Sequence, residues 1–146
     1  MTATAVATKL GGRRVLRADI TSELDLAAAV RAGLPSSALD FLLAELAEWV
    51  DSQADVYRVV GSARTLQRKR TNRLALSADE SDRLARLARL LVRAEEALGD
   101  VEKSRRWLSS PNRSLGGQRP LTLLDSDAGA LAVERVLGRI EHGVYG

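Results

Sequence analysis

The stretch "SQADVYRVVGSARTLQRKRTN", residues 52–72, decides how this chain is read. Its first half has the composition of a short helix that stops at Gly61, a residue suited to a helix C-terminus. Ser62 then stands where a hydroxyl caps a second helix, Ala63 to about Asn72. Two short helices around a tight glycine turn, the second strongly basic, make the helix-turn-helix pattern, whose second helix enters the major groove of DNA. Val56, Val60 and Leu66 are spaced to pack inside the motif, which leaves Arg64, Thr65, Gln67, Arg68 and Lys69 on the exposed side and leading turns.

Charge sharpens this reading. Residues 59–70 hold four cations and no acid, and from Arg58 to Arg73 there are six bases and still no acid. From Asp19 to Asp55, by contrast, eight acids face one base, Arg31. A solvated helix face normally mixes signs to gain i, i+4 pairs, so a block of one sign costs repulsion unless an anionic partner relieves it. A plain surface helix rich in arginine is the competing reading, and the preceding helix, the glycine turn and the cap favour DNA. Arginine can bond guanine bidentately and glutamine adenine, while serine, threonine and lysine hold phosphates. The candidate DNA-binding set is therefore Ser62, Arg64, Thr65, Gln67, Arg68, Lys69 and Arg70.

Outward from this motif the chain reads as all-α. It has 146 residues, enough for one or two small domains, and its core must come from Leu, Ala and Val because aromatics make up only 3%. Residues 1–18, with Gly11 and Gly12 and no clear periodicity, are expected to be a flexible arm carrying Arg13, Arg14 and Arg17. Residues 19–76 form the expected DNA-binding domain. Within it a helix begins at Thr21 or Ser22 and ends at Gly33, and another follows Ser36 or Ser37 with Leu39, Leu42, Leu43, Leu46 and Val50 along one face.

Residues 77–146 form a second helical domain. Ser77 and Glu80 make a capping box, and Leu84, Leu87, Leu91, Ala94 and Leu98 form its buried stripe. Arg83, Arg86, Arg89 and Arg93 lie on another face, where Asp79 and Asp82 can pair with the first two at i, i+4. A shorter helix after Gly99 carries Trp107, expected as a core anchor, and Leu108. "SSPNRSLGGQRPLTLL" then breaks regular structure before a last helix, about Ala128 to His142, that Gly143 ends.

Several chemistries are excluded by composition. The chain has no cysteine and a single histidine, so thiol nucleophiles, disulfides and multi-histidine metal sites are ruled out, and no Ser/His/Asp constellation is apparent. No catalytic residue, metal or cofactor is expected. No stretch approaches the roughly 20 apolar residues of a membrane span, so a cytoplasmic protein without a membrane partner is expected.

Taken in order, "GLPSSALDFLLAEL", "RTLQRKR", "LSADESDRLARLARL", "WLSSPNRSLGGQRPLTLLDSDAGA" and "VERVLGRIEHGVYG" resemble the Xre/MbcA/ParS-type antitoxins of bacterial type II toxin-antitoxin pairs, from about Val30 to the C-terminus. The resemblance implies an N-terminal helix-turn-helix domain that binds operator DNA and represses its own operon. It also implies a C-terminal domain that covers the active site of a RES-domain toxin, a protein acting on NAD. The balanced charge after Trp107, four bases and four acids, fits a protein-binding surface. The candidate toxin contacts are Arg139, Glu141, His142, Val144, Tyr145 and Gly146, with Tyr145 as the anchor. A homodimer is expected, because one helix-turn-helix covers little DNA and dimers match paired half-sites. The alternative is a stand-alone transcription factor whose C-terminal helices dimerise or bind an effector.

Overall fold

A computed structural model describes residues 2–49 and 52–143. It contains α1 (Thr2–Lys9), α2 (Gly12–Leu16), α3 (Glu23–Ala32), α4 (Ser36–Glu45), α5 (Ser52–Val60), α6 (Ala63–Thr71), α7 (Ala78–Leu98), α8 (Val101–Ser109) and α9 (Asp127–Glu141). Two short 3-10 turns, Arg113–Leu115 and Pro120–Asp125, lie between α8 and α9. The described residues form no strand, as the composition requires. The chain divides into two compact units, residues 1–89 and 90–146, so the boundary falls inside α7 and not ahead of Ser77.

In the first unit the N-terminus departs from expectation. Residues 2–16 are not a flexible arm: α1 buries Ala3, Val6, Ala7 and, just past its end, Leu10, and α2 buries Leu16. The first four sit at offsets 0, 3, 4 and 7, a helical stripe of two alanines, a valine and a leucine. Its residues are small enough to be mistaken for unpatterned sequence. Gly11 and Gly12, read as signs of mobility, take positive φ values of 105° and 69° that turn the chain from α1 into α2. Lys9 fastens α1 to the end of α4 through Glu45 at 3.0 Å.

The remaining helices start and stop where their caps stand. Ser22 caps α3 in a capping box with Asp25, whose carboxyl is held below its ordinary value chiefly by the Thr21 backbone N–H. Gly33 ends α3 at φ 95°, and a Cβ there would lie 2.5 Å from the Leu76 carbonyl oxygen, so only glycine fits. Around it the Leu34 N–H donates to the buried Ser81 hydroxyl at 2.8 Å and the Leu76 N–H to the Leu34 carbonyl at 2.8 Å, tying the α3–α4 turn to the start of α7. Leu39, Leu42, Val56, Val60, Leu66 and Leu84 are all fully buried and make the core that fixes α4, α5 and α6 together. The apolar stripe of α4 runs past the helix itself, which stops at Glu45 with Leu46 as its C-cap; Val50 lies outside the described residues.

The second unit is built around Leu91, Leu108, Leu124, Val133 and Leu137. Within α8, Leu108 is buried in the core, and Trp107, expected as an anchor, is partly buried. Arg105 is buried beside Glu95 at 3.1 Å, an ion pair joining α8 to the end of α7. The loop that follows is closed by Asn112, whose side chain accepts the Ser114 N–H while its carbonyl accepts the Gly117 N–H at 2.8 Å. Ser126 caps α9, and at Gly129 a Cβ would lie 1.8 Å from the Leu123 carbonyl oxygen. That close approach seats the first turn of α9 on the preceding 3-10 turn.

Candidate nucleic-acid and partner interfaces

The turn at Gly61 and the serine cap lie where the sequence placed them, although Gly61 does not take a left-handed conformation. Ser62 accepts the Thr65 N–H at 3.2 Å, and its hydroxyl also contacts the Thr65 hydroxyl, so both residues are engaged in starting α6. Leu66 points inward. Arg64, Gln67, Arg68 and Thr71 are exposed, at offsets 0, 3, 4 and 7, and together make one outward face with two cations and two hydrogen-bonding side chains. Thr71 was not among the candidates although its spacing placed it there; Arg58, exposed on α5, was also passed over.

Lys69 and Arg70 lie elsewhere. Lys69 donates to Glu80 at 2.6 Å, with only 15% and 12% of the two side chains exposed. Glu80 accepts the Ser77 N–H with the same oxygen at 2.8 Å, so one carboxylate completes the capping box of α7 and holds the end of α6. Burial pushes the Glu80 carboxyl up, but the bonds from Lys69 and Ser77 outweigh it and hold it below its ordinary value. Arg70 pairs with Asp40 of α4 and donates to the Tyr57 hydroxyl of α5, and its guanidinium lies 6.0 Å from the Tyr57 ring centre. Burial opposes its charge, yet Asp40 and Tyr57 more than compensate and raise its pKa. The acid-free block is therefore acid-free only along the sequence: Asp40 and Glu80 arrive from α4 and α7, and these two cations are matched within the fold.

At the other end of the chain, Arg139, Glu141 and His142 are exposed at the close of α9. Glu141 is bound to Arg93 at 3.1 Å, and that hydrogen bond is the leading cause of the raised Arg93 pKa. His142 caps α9 through its N–H to the Gly138 carbonyl at 3.1 Å, and Gly143 turns the chain at φ 74°. Val144, Tyr145 and Gly146 lie outside the described residues. Leu131, Arg135 and Arg139 are exposed at successive i, i+4 positions, so α9 presents a mixed apolar and cationic face away from its core residues Val133 and Leu137. Leu131 had carried no signal as a surface residue. Among the described residues no group of acids and histidine is placed to hold a metal ion, and no helix is long and apolar enough to cross a membrane.

Two family models match the chain. Residues 25–89 match the antitoxin Xre-like helix-turn-helix domain, and residues 93–143 match the antitoxin Xre/MbcA/ParS C-terminal toxin-binding domain. Among curated proteins, the chain is 34% identical over 122 residues to an antitoxin Xre of Photorhabdus laumondii, covering 82% of this chain and 80% of that one. It is 38% identical over 95 residues to an antitoxin Xre of Yersinia enterocolitica, covering 64% of each. A protein of Sphingobium named as a Prs ADP-ribosylating antitoxin is 27% identical over 133 residues, covering 85% of this chain and 82% of its own.

Proposed function

From the premise that this chain belongs to the Xre antitoxin family, with a helix-turn-helix domain and a toxin-binding domain, we propose that it neutralises a RES-domain toxin and represses its own operon. The observation that carries this is the agreement of two divisions: the matched domains, residues 25–89 and 93–143, fall one in each compact unit, so each activity has a folded body of its own. In the first unit, the outward face of α6 enters the major groove of operator DNA, with Arg64 and Arg68 suited to guanine edges and Gln67 to adenine. Two copies of the chain bind as a homodimer across paired half-sites.

In the second unit, α9 and the residues after it carry the neutralising contacts. Arg139 and the exposed Leu131 and Arg135 flank the approach. Tyr145, with an apolar ring and a polar tip, enters the toxin's pocket. Glu141 is already committed to Arg93, so its part is to fix the end of α9 and not to meet the toxin directly. The Sphingobium relative's name joins this kind of protein to ADP-ribosylation, a reaction that consumes NAD, which supports a toxin that handles NAD. Inhibition is by occupation of the active site, and the chain itself catalyses nothing.

Co-expression tests the reading. The full chain is expected to rescue cells from the RES-domain toxin encoded beside it and to co-purify with it. A chain lacking residues 143–146 is expected to keep its helical content and operator affinity and to lose most of the rescue. Full rescue by the shortened chain removes the tail from the mechanism, and absence of any complex between the full chain and that toxin overturns the choice of partner.

A further inference from the structure

Beside α6, and still within the first unit, lies a groove of about 760 Å³ lined on its polar side by Arg17, Ser36, Ser37, Asp40, Arg70, Thr71 and Arg73. Asp40 is already bound to Arg70, which leaves Arg17 and Arg73 as exposed cations facing the groove. The groove also receives the N-terminus of α4. Pro35 is the N-cap there and offers no side-chain oxygen, so the positive end of a ten-residue helix has no side-chain cap. Ser36 sits at that end with 4% of its surface exposed and no hydrogen-bond partner for its hydroxyl. The hydroxyl itself is not closed off from solvent, and the space that Ser36 lines is the groove.

We propose that this groove is a phosphate-binding site that takes a phosphodiester of the DNA backbone alongside the bases read by α6. The inference rests on the DNA-binding reading above and adds to it a second element of the chain. Two unopposed guanidiniums, two serines and an open helix N-terminus are the donor set that a phosphate oxygen cluster needs. Thr71 connects the groove to the DNA face, since it belongs both to the outward row of α6 and to the groove lining. A backbone phosphate is thus favoured over a free nucleotide, because the groove adjoins the outward row of α6 at Thr71. Arg17 comes from α2, ahead of the matched helix-turn-helix domain, so the N-terminal helices extend the DNA footprint beyond that domain.

The test uses the full chain and a duplex taken from upstream of its own gene, beside an unrelated duplex of equal length, titrated at several salt concentrations. Replacing both arginines, Arg17→Gln with Arg73→Gln, removes two phosphate contacts. The salt slope should fall by about 1.8, so that between 50 and 200 mM salt the double variant loses about ten-fold less affinity than the parent. Binding to both duplexes weakens alike at low salt. Ser36→Ala should weaken both duplexes by a smaller common factor with unchanged melting, because the hydroxyl it removes has no partner in the free protein. An unchanged slope in the double variant overturns the site while leaving α6 as the reader, provided that Arg64→Ala with Arg68→Ala still abolishes operator preference. If the parent binds neither duplex, the DNA-binding reading fails and takes the site with it. Binding of ATP or inorganic phosphate by the groove with no change in DNA affinity on substitution also overturns the assignment.

Discussion

Arg68 and Arg70 stand two residues apart on α6, come from the same run of cations and differ in what surrounds them. Arg68 is open to solvent in a row with Arg64, Gln67 and Thr71, whereas Arg70 is bonded to Asp40 and Tyr57. Lys69, between them, is bonded to Glu80. One side of the helix keeps its charge for a partner and the other uses it to hold α4, α5 and the start of α7 around α6. A basic helix can thus be both a recognition surface and a structural clasp, and residues that look interchangeable in sequence have opposite consequences when changed.

The largest effect expected from this contrast is on the open side. Replacing Arg64, Gln67 and Arg68 together with Ala should abolish specific operator binding, since each bidentate base contact contributes about 1–3 kcal/mol of discrimination. The melting temperature should stay within a degree or so of the parent, because none of the three is buried. Band-shift titration with calorimetry on the same sample checks both halves, and a variant that melts early would show that the open side is also holding the fold.

A smaller and opposite effect is expected at Lys69. Lys69→Met leaves Glu80 without its cation in a nearly closed setting, at a cost of about 1–3 kcal/mol of folding stability. Operator affinity measured well below the melting point should change little. A uniform fall in affinity for all DNA sequences with no loss of stability would return Lys69 to the phosphate-contacting set. Arg70→Ala should cost less, about 1 kcal/mol, because its pair with Asp40 is partly solvated.

The finest test uses pH. The Glu80 carboxyl is held below its ordinary value in the folded state, so its contribution is fully present above the unfolded value and is lost as pH falls through the folded one. Glu80→Gln should therefore be less stable than the parent near neutrality, with the gap closing as the solution is acidified below about pH 4.3. Chemical denaturation across that range reads the gap directly, and a gap that widens in acid would mean that Glu80 is not the acid that α6 leans on.

Much of the architecture was legible because local chemistry dictates it. Ser22, Ser62, Ser77 and Ser126 start their helices as capping residues do, Gly33 and Gly61 end theirs, and the leucine spacing of α4 and α7 marks their buried sides. The helix-turn-helix followed by a C-terminal helical domain follows from those signals. The N-terminal helices were missed because two of the four positions of the α1 stripe are alanines, which are common on both surfaces and cores, and because Gly11 and Gly12 interrupt the pattern.

What the sequence by itself determined is the helices from α3 onward, their caps and the concentration of cations on α6, for these depend on interactions reaching four residues or fewer along the chain. Tertiary structure alone decided which cations remain available. Asp40 lies 30 residues before Arg70, and Glu80 lies 11 residues after Lys69. Coulomb attraction depends on distance in space, and only the packing of α4 and α7 against α6 brings these acids near. The same packing brings Arg17 from α2 to the mouth of α4. A charge count along the chain registers all of these groups, but the fold determines which of them are matched internally and which are left for a phosphate.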